Sequence, residues 1–232
     1  MAGMTDAQKH MLDYAKRIAY SSVETLMFTF EMAQKYADSP GCYVECGVAA
    51  GAQIIAMRAG APNKVIHAFD SFEGIPLPSN RDDQMPGIRF LSHEEQRNLP
   101  NPGKQKLETT GATAVPVEDF MDHIENSGCK NKHNIIIHKG WFEDTTAGIP
   151  EGHAMDPISI LRLDGDLYNS TAVCLQNLYP LVESGGIVII DDWQLPGCQA
   201  AVVDYFRNTT RRNRFTFPEI KFVSNIAYFI KP

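Results

Sequence analysis

From Thr5 to about Ala37 apolar residues recur at three- and four-residue steps: Met11, Leu12, Ala15, Ile18 and Ala19, then Val23, Leu26, Met27, Phe30 and Ala33. That spacing predicts two amphipathic helices ahead of the first strand. The turn signal Asp38-Ser39-Pro40-Gly41 ends them. Cys42-Tyr43-Val44 then opens a strand that runs into a glycine-rich stretch, Glu45 to Gly51, and helical spacing resumes at Ile54, Ile55 and Met57. A second β unit, Lys64 to Phe69, closes on Asp70-Ser71-Phe72-Glu73-Gly74. Between Ile75 and about Thr113 the pattern dissolves into Pro, Asn, Gly and charge, with one short helical candidate from Ser92 to Leu99. Irregular segments of that length are uncommon in compact domains and usually serve a function, so this one is expected to cover the site as a lid.

Regular periodicity returns with a helix from Val117 to about Ser127, a strand Asn134–His138 and a loop Lys139–Asp144. An apolar run, Ile158 to Leu163, ends at Asp164; a helix from about Ser170 to Leu181 leads to a Gly185-Gly186 turn and a strand that ends at Asp191-Asp192. A helix from about Cys198 to Asn208 precedes two tail strands, 219–223 and 226–230, joined at Ser224-Asn225. Alternation of β and α predicts a parallel sheet with helices on both faces, because each crossover is right-handed and buries a helix on the sheet. The terminal hairpin adds an antiparallel strand. On this pattern residues 1–39 form a helical extension and 40–232 the main domain, with the insertion at about 75–113.

With 232 residues, 44% of them apolar and 21% charged, the chain is long enough to bury one substantial core. A net charge of −7 and a pI near 5.5 argue against nucleic acid as a partner, since that binding runs on phosphate neutralisation. The basic cluster Arg211, Arg212 and Arg214 reads as a solvated helix end. Five cysteines without a C-x-x-C pair indicate reduced thiols rather than a disulfide framework or a zinc site. The first twenty residues contain no apolar signal region, and no apolar stretch approaches the roughly 18 residues of a membrane span. A soluble cytoplasmic protein without membrane association is expected.

The chemistry concentrates at strand ends. If the runs ending at Asp164 and at Asp191-Asp192 are parallel strands, three carboxylates share the rim where open α/β sheets bind ligands. Such acids repel one another unless a hard cation sits between them, and all-oxygen ligation suits Mg²⁺, Ca²⁺ or Mn²⁺. Gly47 and Gly51 let the backbone turn sharply and approach a ligand at the next helix start. Glu45, just before that turn, disfavours a pyrophosphate and suits a cationic ligand. Asp70, at the end of the second strand, stands where an acid accepts hydrogen bonds from ribose hydroxyls. An adenosine with positive charge at its other end satisfies both acids, and S-adenosylmethionine has that form.

The runs VECGVAAG, HAFDSFEGIP, HKGWFEDT, ILRLDGDLYNST, LQNLYPLVESGGIVIIDDW and CQAAVVDYF resemble those of the macrocin O-methyltransferase family, S-adenosylmethionine-dependent enzymes that methylate sugar hydroxyls of natural products. The resemblance covers roughly residues 40 to 210. It implies the class I methyltransferase fold, a Rossmann-like three-layer sandwich whose seven-stranded, mostly parallel sheet ends in an antiparallel strand. It further implies that Glu45, Gly47 and Gly51 form the first cofactor motif, that Asp70 with the adjoining Ser71 holds the ribose, and that Trp141 and Phe142 enclose adenine. Asp164, Asp191 and Asp192 match the family's magnesium ligands, with Asp164 also beside the cofactor and Asp191 and Asp192 as catalytic residues.

Two departures bear on mechanism. Ala49 stands where the methyltransferase glycine motif commonly has its middle glycine, and Leu167 stands where catechol-type relatives carry a lysine base. The proton must then go to Asp191, Asp192 or a histidine; His93 and His153 fall in loops, and His138 sits in a strand run and reads as structural. The expected reaction is in-line transfer of a methyl group to one hydroxyl of a vicinal diol, most simply a sugar of a glycosylated small molecule, aided by a divalent ion. Competing readings are a catechol or phenol methyltransferase, a nicotinamide-dependent oxidoreductase and a noncatalytic cofactor-binding protein. The N-terminal helices are expected to line the acceptor pocket or to form a homodimer contact.

Overall fold

The computed structural model describes residues 3–82, 109–147, 157–211 and 216–232. The helical candidate Ser92–Leu99 with His93, the loop residue His153, and Arg212 and Arg214 lie outside these residues. Helices α1 (Asp6–Ile18) and α2 (Val23–Lys35) come first. Thr5 starts α1 with a capping box shared with Gln8, and Ser22 caps α2 by accepting the Thr25 N–H. After them come β1 (Cys42–Cys46), α3 (Ala52–Gly60), β2 (Ile66–Asp70) and a 3-10 turn at Asn80–Asp82. The chain continues through α4 (Val117–Asn126), β3 (Ile135–Lys139), α5 (Phe142–Thr145), β4 (Ile158–Leu163), α6 (Tyr168–Leu178), β5 (Val182–Ile190), α7 (Pro196–Arg211), β6 (Lys221–Val223) and β7 (Ile226–Ile230).

Seven strands form one sheet in the order β3-β2-β1-β4-β5-β7-β6, with β1 to β5 parallel and β7 antiparallel to both neighbours. Side chains alternate between two cores. Tyr43, Ile66, Ala68, Ile160, Ile187 and Ile189 face α1, α2 and α3, whereas Val44, Phe69, Leu161, Leu163, Val188 and Ile190 face α6 and α7. Helix α3 is buried from Ala52 to Ala59 because α1 and α2 pack over it, which is why its sequence lacks a polar face.

Local differences from the expected elements have local causes. Gly185 and Gly186 lie inside β5 rather than in a turn before it. The register jumps from Ile158↔Val182 to Ile160↔Ile187, and the glycine backbone pairs with Lys231 instead. The helix expected to run to Leu181 gives way to a 3-10 turn, Tyr179–Leu181, where Pro180 withholds an N–H. The expected loop Lys139–Asp144 contains the start of α5. Among the described residues no helix is long and apolar enough to cross a membrane, and all five cysteines are free thiols.

Candidate active site

A cleft of about 310 Å³ opens along the carboxyl ends of the parallel strands and is lined by Glu45, Gly47, Asp70, Ser71, Trp141, Phe142, Asp164, Asp191 and Asp192 among others. Every cofactor and metal candidate read from the sequence except Gly51 therefore lines one cavity. Gly51 caps α3 behind the turn at φ +86°, a conformation that favours glycine. Gly47 is required for a different reason. It sits at φ +90°, and a Cβ there would lie 1.7 Å from the Asp164 carbonyl oxygen, so β1 and β4 can leave the sheet side by side only with glycine at this point.

Asp70 shapes this turn. Its Oδ2 accepts the N–H groups of Val48 at 2.8 Å and Ala49 at 3.0 Å, and its Oδ1 accepts that of Phe72 at 2.6 Å. Ala49 is held at φ +42°, a conformation alanine reaches only at some cost. Three of the carboxylate's roughly four acceptor positions are thus used by backbone, which leaves one for a ligand hydroxyl. The same bonds occupy N–H groups that a phosphate would need, so this turn is no pyrophosphate cradle. Ser71 is engaged locally: its Oγ accepts the Glu73 N–H and donates weakly to the Gly74 carbonyl. Trp141 caps α5, and Phe142 leans toward Gly165.

On the other half of the rim the acids converge on a residue that the strand pattern alone did not single out. Arg162, fully buried in β4, donates from Nη1 to Asp164 Oδ2 at 2.8 Å and from Nη2 to Asp191 Oδ1 at 2.5 Å. Its Nη1 also lies 3.5 Å from Glu45 Oε1, its register partner on β1. A cation thus already stands among the acids, and the expectation that only a bound ion relieves their repulsion is corrected to that extent. The sequence carried the signal, because a charge inside the apolar run ILRLD of a sheet covered on both faces must be paired.

One arginine does not balance what surrounds it. Glu45, Asp164, Asp166, Asp191 and Asp192 all line the cleft. Burial pushes the Glu45 carboxyl up to about 8, with Asp191 and Asp70 adding and Arg162 opposing. Burial and then Asp191 hold Asp164 well above the usual carboxylate range, and burial, Asp166 and Asp191 do the same to Asp192. Asp166 is raised to about 6 by burial and Asp191. Burial opposes the Arg162 charge, yet Asp191, Asp164 and Glu45 keep its guanidinium firmly protonated. The acids are crowded beyond what Arg162 compensates, so they hold protons that a bound cation would displace.

The geometry fits a hard divalent ion. Asp164, Asp191 and Asp192 each offer one oxygen, and the three oxygens lie within 4.8 Å of one another. Arg162 holds one oxygen of Asp164 and one of Asp191, and the Asp166 N–H holds Asp192 Oδ2 at 2.9 Å. Among the described residues each acid thus has one oxygen fixed by protein and one without a hydrogen bond, the way outer partners orient metal ligands. Asp166, at φ +58°, also belongs to this corner: its backbone N–H serves Asp192, the residue lines the cleft, and among the described residues its carboxylate has no hydrogen-bond partner.

The support behind these acids was not visible from spacing. Asp82, itself buried, accepts the Tyr168 N–H at 2.7 Å and the Ser79 N–H at 3.0 Å. Arg81 pairs with Asp204 and stacks over Tyr168. The 3-10 turn is thereby docked against α6 and α7, the two helices that follow the acid-bearing strand ends. His138, read as structural, stacks on Phe69 at 4.1 Å and contacts His67 at 2.9 Å. Leu167 is buried at the N-terminus of α6, so no lysine base stands there.

Comparison with known proteins shows the family and the fold. The family model described as Macrocin-O-methyltransferase (TylF) matches residues 30–218. The 8-demethyl-8-(2,3-dimethoxy-alpha-L-rhamnosyl)-tetracenomycin-C 4'-O-methyltransferase of Streptomyces olivaceus is 37% identical over 171 residues, 72% of this chain and 58% of that protein. The demethyldecarbamoylnovobiocin O-methyltransferase of Streptomyces niveus is 33% identical over 172 residues, again 72% of this chain and 58% of that one. The chain thus spans less than two thirds of the length of these relatives. The solved structure of the O-methyltransferase NovP superimposes with a TM-score of 0.71 at 26% identity, covering 92% of this chain and 82% of that one. The class I methyltransferase fold expected from the sequence is the fold observed, and the chain belongs to the macrocin-O-methyltransferase family.

Proposed function

We propose that this protein transfers a methyl group from S-adenosylmethionine to a hydroxyl of a sugar carried by a small natural product, with a divalent metal ion at Asp164, Asp191 and Asp192. The observation that carries this reading is the division of labour along one rim. The glycine turn has its N–H groups committed to Asp70, against a pyrophosphate, and among the described residues the neighbouring acids outnumber Arg162, the arginine paired with them, in favour of cations. A sulfonium donor and a hard metal are both cations. The relatives named above methylate oxygens, and one carries rhamnose in its substrate's name.

In this reading Asp70 spends its remaining acceptor position on the ribose, and Trp141 and Phe142 flank adenine beyond β2 and β3. A metal held by the three aspartates would supply Lewis-acid chemistry, lowering the pKa of a substrate hydroxyl. The chain's residues do the rest. Arg162 and the Asp166 N–H keep the three carboxylates aimed, and alignment of acceptor oxygen, methyl carbon and sulfur contributes on the order of 7 to 11 kcal/mol. As the O–C bond forms the C–S bond breaks, its electron pair goes to sulfur, and the hydroxyl proton passes to a nearby carboxylate. The unbonded Asp166 carboxylate is placed for that role beside Asp192.

Titration calorimetry with S-adenosylhomocysteine, followed by mass spectrometry of glycosides incubated with S-adenosylmethionine and Mg²⁺, tests the proposal. Binding and a product one methyl heavier are expected. Absence of S-adenosylhomocysteine binding, or tight binding of NADH in its place, would overturn it.

A further inference from the structure

The sheet order turns the cleft into a ruler. Along the rim the lining residues run from Trp141 after β3, through Asp70 after β2 and Gly47 after β1, to the acids after β4 and β5, and then to Gln194 and to Asn225 in the β6–β7 turn. Asn225 reaches the same rim because β7 runs antiparallel and pairs Ala227 with Ile190. If the aromatic end takes adenosine and the acids take the metal, the remaining end, past β5, is where the second substrate must lie.

The α1–α2 linker also lines the cleft, reaching from the start of α3 to the terminal hairpin. Ser21 Oγ accepts the Gln53 Nε2 donor at 2.7 Å, and Ser22 contacts Thr25 at 3.1 Å, which reaches the Asn225 Oδ1 acceptor at 3.5 Å. These bonds tie the linker to α3 and to the terminal hairpin. Gln53 is 5% exposed and lines the cleft, and the other end of its amide has no partner. Whichever way that amide is turned, one end holds Ser21 and the other awaits a ligand's hydrogen-bonding group. Asn225 and Gln194 also line the cleft, and among the described residues the Asn225 amide nitrogen and the Gln194 amide have no hydrogen-bond partner.

We propose that Gln194 and Asn225, at this end of the cleft, are the residues that read the acceptor's hydroxyls. A catechol would bring two adjacent hydroxyls for the metal and nothing for the amides beyond it. The assignment rests on the methyltransferase reading above and deepens it by naming the residues that choose the acceptor.

Saturation-transfer NMR on the protein loaded with S-adenosylhomocysteine and Mg²⁺ tests it, with methyl α-L-rhamnopyranoside and catechol as the probes. The glycoside should show saturation transfer, and the Gln194→Ala/Asn225→Ala double variant should weaken its binding about tenfold, the loss expected for two hydrogen bonds. S-adenosylhomocysteine affinity should stay within about twofold, since no cofactor contact is removed. Gln194→Ala alone, at an exposed position outside the hairpin, repeats the test should the double variant unfold. An unchanged glycoside signal, a signal for catechol but none for the glycoside, or a matching fall in S-adenosylhomocysteine affinity overturns the subsite. Failure of the wild-type protein to bind S-adenosylhomocysteine would instead remove the methyltransferase reading itself.

Discussion

The two halves of the strand-end rim use the same side chain in opposite ways. After β1 and β2, the Asp70 carboxylate is consumed by three backbone N–H groups and fixes the glycine turn. After β4 and β5, Asp164, Asp191 and Asp192 each keep one oxygen unbonded while the other is held by Arg162 or by the Asp166 backbone. The first half is satisfied by the fold and works through shape. The second is left under-compensated and works through charge, at a cost to stability that a bound cation would offset. An aspartate at a strand end therefore has no fixed meaning until the N–H groups and cations around it have been counted.

Breaking the under-compensated half should have the largest effect. Asp191→Ala removes a metal oxygen and an Arg162 partner together, and methyl transfer is expected to fall at least about 10³-fold while S-adenosylhomocysteine still binds by calorimetry. Chelation should do the same reversibly: activity lost in EDTA returns with Mg²⁺ or Mn²⁺, and turnover indifferent to chelator would take the metal out of the mechanism. Arg162→Met leaves Glu45, Asp164 and Asp191 facing one another in the interior. Urea denaturation should show about 3–5 kcal/mol of lost stability, and added Mg²⁺ should restore part of it because it replaces the missing charge.

The satisfied half should respond more gently and in a different observable. Asp70→Ala frees the turn's N–H groups, and S-adenosylhomocysteine binding is expected to weaken about 10- to 100-fold by loss of charge-assisted hydrogen bonds, with the metal affinity unchanged by Mn²⁺ titration. Equal losses in both measurements would mean that the two halves are not separable. The smallest effect is expected at Asp82→Ala, which strips the N–H at the start of α6 of its acceptor. A loss of about 1–2 kcal/mol in the denaturation midpoint is expected, and no change would show that α6 needs no support from this turn.

Much of the rim was legible in the chain because parallel strands buried on both faces read as unbroken apolar runs, and the polar residue that ends such a run lands at the rim. That logic located Glu45, Asp70, Asp164, Asp191 and Asp192 without coordinates. It was blind to Gln53 and Asp82, whose partners Ser21 and Tyr168 lie 32 and 86 residues away along the chain. It passed over Arg162 because hydrophobic pattern weighs a single charge lightly, and over Asp166 because a left-handed residue between Gly165 and Leu167 carries no periodic signature. The β5 glycines misled for a similar reason: a Gly-Gly pair marks a turn in isolation, whereas here Lys231 supplies the backbone partners that keep it in the strand.

By itself the sequence determined the order of elements, the parallel sheet with its antiparallel end, and which acids reach the rim, because periodicity and strand ends are local properties that covalent spacing transmits directly. Only the tertiary structure decided which of those acids are spent and which remain available. That depends on N–H groups and a guanidinium brought close from distant parts of the chain, and a carboxylate's chemistry follows from its neighbours in space, where the dielectric is low and each missing partner counts.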